Sequence, residues 1–304
     1  MAFKRASTGR RTNLTFHRCA THVSDFCSGA CLFIFHCTGY IGGFVLTRFL
    51  LHPKRANFDV VTRKLEEMFG LRTVIGSLDD AGRPVELASG ANVVIACADA
   101  DNLPAWQAML KGMTQRYQEM GEVLVLIHTP HRNVDLAALD AEGQGSVFGL
   151  VAYCTLVDAG LMERHSQQIP QPINASLDCG QTGTVGKGKN FWPNVNTDEV
   201  ADLYLIILDH FMAGKLIGHG REGFYIGENG EHMLYDISKA TGEAMMELGK
   251  LDKYFGGSDF LGSNVCCRAE RSRSIEWKPV KTTLASIKQE MQAMIEHPEG
   301  VKST

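Results

Sequence analysis

No stretch of this sequence is long and apolar enough to span a bilayer. The longest run near its start, residues 30–35, is broken by His36, whereas a membrane helix needs roughly 18 to 20 apolar residues. The run is also too short for a signal-peptide core. A basic excess is missing too: 30 Lys and Arg stand against 34 Asp and Glu, a formal net charge of −4, so the electrostatic footprint of a nucleic-acid binder is absent. These absences argue against nucleic-acid and membrane partners and for a small-molecule ligand. The nine cysteines are an odd number without paired C-x-x-C spacing. Reduced thiols are therefore expected, and Cys27, Cys31, His36 and Cys37 do not make a zinc set, so no metal site is expected.

Residues 1–29 carry Lys4, Arg5, Arg10, Arg11 and Arg18 against the single acid Asp25. This reads as a disordered extension of a cytoplasmic protein, the alternative being a mitochondrial targeting segment. Residues 31–35 then have the length and apolar content of a buried strand, and Ile41, Val45, Phe49 and Leu50 recur at helical spacing. Further strands are expected at 58–61, 73–75, 92–96 and 123–127, with helices at 63–69 and 103–120. Alternation of this kind predicts an α/β fold of Rossmann type, a doubly wound parallel sheet. Beyond Gly145 the pattern loosens. Residues 168–196 read mostly as loop, and helices resume at 198–213, with Asp198 as N-cap, and at 236–248 and 283–295. The expected organisation is an extension at 1–29, a nucleotide-binding domain at 30–165 and a small α-rich lobe for substrate at 166–304.

The chemistry-bearing motif is Cys37-Thr38-Gly39-Tyr40-Ile41-Gly42-Gly43, placed between the first strand and its helix. Glycine lets the backbone turn tightly and lets a pyrophosphate approach without a Cβ in the way. The helix N-terminus offers N–H groups and a positive dipole end. Gly39 and Gly42 give the spacing G-x-x-G; His36 stands where a preceding glycine would complete the longer motif.

This turn resembles the fingerprint of the extended and atypical short-chain dehydrogenase/reductases, in particular the fungal NAD-dependent epimerase/dehydratase-like proteins. The resemblance runs from about residue 32 to residue 293. It includes Gly76-Ser77-Leu78-Asp79-Asp80, Ala98-Asp99-Ala100-Asp101-Asn102-Leu103-Pro104, His131-Arg132-Asn133-Val134-Asp135-Leu136, Val185-Gly186-Lys187-Gly188-Lys189-Asn190, Asp198-Glu199-Val200-Ala201-Asp202-Leu203-Tyr204 and Arg268-Ala269-Glu270-Arg271-Ser272-Arg273. It implies NADP or NAD as cofactor, bound by Thr38, Gly39, Tyr40, Ile41 and Gly42. By the same resemblance Leu78 and Asp79 lie at the adenine and Ala98 lines the cofactor. Arg63, with Lys64 beside it, stands nearest the place of a 2′-phosphate partner. A homodimer is left open.

The family's Tyr-x-x-x-Lys pair is not where it should be. The alignment puts His131 at the tyrosine position and Asp135 at the lysine position, i and i+4 on one helix face. A loop of several tens of residues is missing before them, leaving Thr129 as the remnant of the Ser or Thr that would hold a substrate oxygen. The literal match Tyr235-Asp236-Ile237-Ser238-Lys239 lies on the wrong helix. The sequence thus predicts an NAD(P)-dependent oxidoreductase or epimerase acting on a carbonyl, alcohol or sugar nucleotide, with catalysis weakened. The alternatives are a non-catalytic NADP-binding sensor of NmrA-like type and a family member that has lost its ligand.

Overall fold

The structure, a computed structural model, describes residues 15–19, 32–35, 39–53, 72–75, 77–78, 80, 82–97, 102–121, 124–129, 145–152, 169–184, 186–250 and 267–296. The expected strand at 58–61, the expected helix at 63–69 and the expected helix carrying His131 and Asp135 lie outside them. The main sheet contains β1 (Thr15–Cys19), β2 (Leu32–Phe35), β3 (Arg72–Ile75), β4 (Val93–Ala96), β5 (Leu124–His128), β6 (Gly145–Ala152) and β8 (Phe224–Gly227). Their spatial order is β3-β1-β2-β4-β5-β6-β8. From β2 to β8 every neighbouring pair is parallel.

Helices cover both faces because strand residues alternate direction. Leu32, Ile34, Val93, Ile95, Val125 and Ile127 join one apolar cluster with α1 (Tyr40–Leu51) and α5 (Thr197–Met212). Val94, Ala96, Leu124 and Leu126 face the other way. They pack with α2 (Gly82–Ser89) and α3 (Leu103–Met120). A Cβ at Gly112 would run into the Val85 carbonyl, so glycine is what lets α2 and α3 approach so closely. Along α1 and α5, Arg48 reaches Asp202 at 2.7 Å and Asp198 at 3.4 Å, and Lys281 pairs with Asp198 at 2.6 Å.

A third cluster unites α4 (Pro170–Cys179), α6 (Leu234–Glu247) and α8 (Thr283–Glu296) through Ile173, Ile237, Met245, Ile287 and Met291. Beside α6 lies a ribbon of β7 (Phe191–Pro193) and β9 (Glu231–Met233). The short α7 (Glu270–Ser274) packs on β8. Thus α5 and β8, both beyond residue 166, belong to the sheet layer.

Four expectations are corrected. The sheet is not wholly parallel, because β1 runs antiparallel to both its neighbours, β2 and β3. That strand comes from the 1–29 extension: Thr-Phe-His-Arg-Cys carries the β-branched and aromatic residues that favour a pleated partner. Within 168–196 there is a helix, α4, despite its prolines. Pro170 and Pro172 sit in the first turn, where a missing N–H costs nothing, and Ile169, Ile173 and Leu177 form the apolar stripe. The loosened region after Gly145 opens with β6. Finally, α5 is capped by Asn196, whose side chain accepts from Asp198 N at 3.0 Å, and Asp198 occupies the first turn.

Candidate functional site

The chain leaves β2 for β3 on one side and returns to β4 on the other, so the strand order reverses between β2 and β4. In open α/β sheets the crevice at such a point, beyond the carboxyl ends of the strands, is where ligands bind. Gly39 lies there. It is buried, extended at φ −77° and ψ 172°, and is the N-cap of α1 with no side-chain capping bond. The first turn of α1 holds no acidic residue to occupy its N–H groups. Gly43 N–H donates to Gly39 O at 2.7 Å, closing the first helical turn. The Thr197 hydroxyl donates to Tyr40 Oη at 2.8 Å, tying this turn to the start of α5.

Two further residues floor the crevice. Cys97 follows β4 and Thr129 follows β5, both partly buried. Thr129 N–H donates to Ala96 O at 3.2 Å, prolonging the β4–β5 ladder. From behind comes Tyr204 of α5, fully buried, its hydroxyl hydrogen-bonded to Thr129 Oγ1. Burial pushes the Cys97 thiol up to about 12, against a smaller downward pull from its hydrogen bond with Tyr204. The neighbouring His128 is buried against Trp106, and burial holds its pKa well below the usual histidine value.

Of the residues expected at the cofactor, Gly39, Tyr40, Ile41 and Gly42 come together in this turn. Leu78 is buried in the apolar cluster beneath α2 and α3. Thr38, Arg63, Asp79 and Ala98 lie outside the described residues, as do His131 and Asp135 of the expected catalytic set. Thr129 is at the strand ends. Tyr235 and Lys239 are on α6, with Tyr235 half-exposed and Lys239 3.8 Å from Glu243.

Sequence reasoning missed the partners at the far end of the same edge. Beyond β8, Glu228 Oε1 accepts from Gly230 N at 2.5 Å, and Oε2 accepts from Ala269 N and Arg273 Nη1, each at 3.1 Å. Burial alone would raise this carboxyl's pKa, but these donors outweigh it and hold it below the usual range. Arg271, Ser272 and Arg273 donate to the carbonyls of Phe224, Ile226 and Glu228, every second residue of the strand. The block 268–273 therefore caps a sheet edge. The readable signal was the unbroken polar run Glu270-Arg271-Ser272-Arg273. Beside it is an open depression of about 820 Å³ lined by Glu228, Glu231, Cys267, Arg268, Glu270 and Arg273. Among the described residues Arg268 has no ion-pair partner, no group of His, Cys, Asp or Glu is arranged to hold a metal, and no helix is long and apolar enough to cross a membrane.

No family model matches the chain. An oxidase, ucsJ, of Acremonium sp. is 23% identical over 322 residues, covering 80% of this chain and 91% of that protein. The UDP-glucose 4-epimerase of Bifidobacterium longum, solved with NAD+ and UDP, superposes with a TM-score of 0.64 at 14% identity, covering 89% of this chain and 99% of that one. The UDP-glucose 4-epimerase of Thermotoga maritima, solved with UDP-glucose, gives 0.63 at 10% identity over 88% and 99%. For the dTDP-glucose 4,6-dehydratase of Bacillus anthracis, solved with NAD, the values are 0.60, 14%, 88% and 97%. The chain shares with these epimerase and dehydratase structures an α/β fold related to the Rossmann type.

Proposed function

We propose that this protein binds NAD or NADP over the β2–β4 crevice and acts as an NAD(P)-dependent oxidoreductase or epimerase/dehydratase-like protein on a carbonyl, alcohol or sugar nucleotide. The observation that carries the reading is the start of α1: a buried glycine at a strand end, with no side-chain cap and no first-turn carboxylate. Such a terminus suits a pyrophosphate, through the N–H groups of the first turn and the helix dipole. When bound, the nicotinamide supplies a hydride donor or acceptor. The structures solved with NAD in proteins of this fold support the same reading.

The remaining roles fall to this chain's own groups. Tyr40, held by Thr197, and Ile41 and Gly42 form the wall against the pyrophosphate, with Leu78, Asp79 and Ala98 on the nucleoside side. Arg63 is assigned to the 2′-phosphate of NADP. Thr129 faces the substrate oxygen, and His131 with Asp135 is the acid–base pair. Arg268, in the depression four strands from β2 on the same edge and so about 19 Å away, is placed to pair with a phosphate of a sugar nucleotide.

A thermal-shift series with NAD, NADH, NADP and NADPH tests the binding step, since a ligand of the native state must raise stability. A shift with at least one dinucleotide supports the reading, and none with any of them overturns it. NADPH binding more tightly than NADH, with a preference that weakens in salt, supports the role of Arg63. Turnover that is lost in His131→Ala supports the acid–base assignment. The second reading, a non-catalytic NADP-binding sensor, is favoured by the short connection of residues 130–144 between Thr129 and β6. Binding without turnover would select it.

A further inference from the structure

The place between β2 and β3 in the sheet has an unexpected occupant. Strands β2 and β3 run the same way, and β1 lies between them, antiparallel to both. A crossover from β2 through a helix ordinarily delivers the next strand of a doubly wound sheet to the adjoining place. Here β3, the next described strand after α1, stands two places from β2. An inner strand of such a sheet is ordinarily a near-continuous apolar run. Thr15-Phe16-His17-Arg18-Cys19 is not. Its register also sets Arg18 opposite Arg72, and like charges at opposing positions weaken a strand pair. Phe58-Asp59-Val60-Val61, between α1 and β3 in sequence and outside the described residues, has the apolar content this place calls for. Direction matters as well. Thr15 pairs with Ile75, the last residue of β3, so the chain before Thr15 joins the sheet at its carboxyl edge, where Gly39 lies. A strand at 58–61 running with β2 ends on that same edge. It delivers Arg63 there, one strand spacing, about 4.8 Å, from β2.

We propose that β1 is a displaceable strap: it holds the place of the chain's own second strand, keeps Arg63 from the crevice, and is exchanged for residues 58–61 when NADP binds. The inference rests on the function proposed above and adds the regulation of that site. A ligand shifts such an equilibrium through its different affinities for the two states. The strapped fraction raises the apparent Kd, so whatever removes β1 from its place tightens dinucleotide binding.

The test uses the full chain with NADPH. Limited digestion with trypsin, read by mass spectrometry, follows cleavage after Arg18 in β1 and after Arg48 in α1. A bound ligand slows cleavage wherever cutting requires the whole fold to open. NADPH should therefore slow the cut at Arg48 and speed the cut at Arg18 several-fold. His17→Pro breaks the ladder of an inner strand. It should tighten NADPH binding about tenfold by calorimetry and keep a cooperative urea transition, because 58–61 takes the vacated place. Val60→Pro should do the reverse, with an unchanged apo midpoint and NADPH bound about tenfold more weakly. The double variant has no strand for this place, and its midpoint should fall far below that of either single variant. Cleavage at Arg18 that NADPH leaves unchanged or slows overturns the inference. So does a His17→Pro variant that fails to fold or binds NADPH no more tightly than wild type, and so do additive effects in the double variant. If neither wild type nor His17→Pro binds any dinucleotide, the proposed function falls and the strap with it. Binding without exposure of Arg18 overturns the strap alone, which separates the two failures.

Discussion

At the β2 end of the sheet the backbone enters α1 through a buried glycine with no acidic residue in the helix's first turn, whereas at the β8 end side chains take up three strand carbonyls and two main-chain N–H groups. Both ends lie on the carboxyl edge of one sheet and both are polar. They differ in what satisfies them. At β8, Glu228 takes up two N–H groups and one guanidinium, and α7 takes up three carbonyls, so a ligand there meets the Arg268 side chain and not the main chain. At β2, among the described residues, neither an N-cap side chain nor a first-turn carboxylate serves the helix terminus. A binding site on this fold is thus marked by unfinished hydrogen bonding, and structural polarity by completed hydrogen bonding.

The sharpest break in that comparison is Gly42→Val. A side chain at this buried position would stand between the helix terminus and a pyrophosphate. Dinucleotide at about a hundredfold over its Kd should stabilise wild type by about 2.7 kcal/mol, and the variant not at all, with the apo melting temperature changed far less. Equal ligand-induced shifts in both proteins would remove the turn from the binding site.

Much of the β2 end was legible in the sequence because it is built from contiguous residues: a strand-length apolar run, a glycine spacing, then a helix period. The pairing of α1 with α5 was not, since Arg48 reaches Asp198 and Asp202 across some 150 positions. Nor was the link that closes the lobe, where Glu199 receives the N–H groups of Val280 and Lys281 and its carbonyl accepts from Trp277 Nε1 at 2.7 Å. The motif blocks at 198–204 and 268–273 were recognisable as blocks, but their work is tertiary. One holds α5 against α1, and the other finishes the edge of β8. The antiparallel β1 was hidden for a similar reason: a five-residue strand in a basic extension gains its stability from two neighbours supplied by later sequence.

The lobe should show its completed bonding as acid sensitivity. His232 Nδ1 accepts from Asn194 Nδ2 at 2.9 Å, and that amide is held in orientation by Gly230 O and the Thr283 hydroxyl. Burial lowers the His232 pKa to about 4, against a smaller upward pull from Asp236. The folded value lies below the unfolded 6.5, so the unfolded chain takes up the proton first as pH falls. Stability is complete above pH 6.5 and declines towards pH 4, by up to about 3 kcal/mol. His128 acts in the same direction. Urea denaturation at several pH values should show a shallower acid decline in His232→Gln than in wild type, and an unchanged slope would place the acid sensitivity elsewhere.

Glu228→Gln sharpens the contrast from the other side. It should cost about 2 kcal/mol, the scale of hydrogen bonds to a charged group. The half-exposed Arg273 contributes little as an ion pair, so most of the loss comes from the main-chain donors at Gly230 and Ala269. Dinucleotide affinity should not change, as measured by calorimetry alongside the denaturation midpoint. A large loss of affinity would mean that the β8 end belongs to the dinucleotide site after all.

The smallest expected effect is at Tyr235, the literal Tyr-x-x-x-Lys match. Its backbone N–H donates to Gly188 O at 3.0 Å, fixing the start of α6 to the glycine–lysine loop, and its side chain is half-exposed. Lys239 lies one turn on, and its ammonium is 3.8 Å from Glu243, with both side chains more than half exposed. A catalytic pair of this type needs a lysine whose charge acts on the phenol and a crevice that excludes water from both. Here the charge faces a carboxylate in open solvent, and the helix rises from the β7–β9 ribbon and not from the end of a central strand. Tyr235→Phe should therefore leave stability within about 0.5 kcal/mol, the usual range for a surface change, and should leave dinucleotide affinity and any turnover at wild-type values. Steady-state assays beside His131→Ala make the comparison direct: the residue at the family's tyrosine position should matter and the literal match should not. A collapse of turnover in Tyr235→Phe alone would move the reacting centre from the strand ends to the lobe.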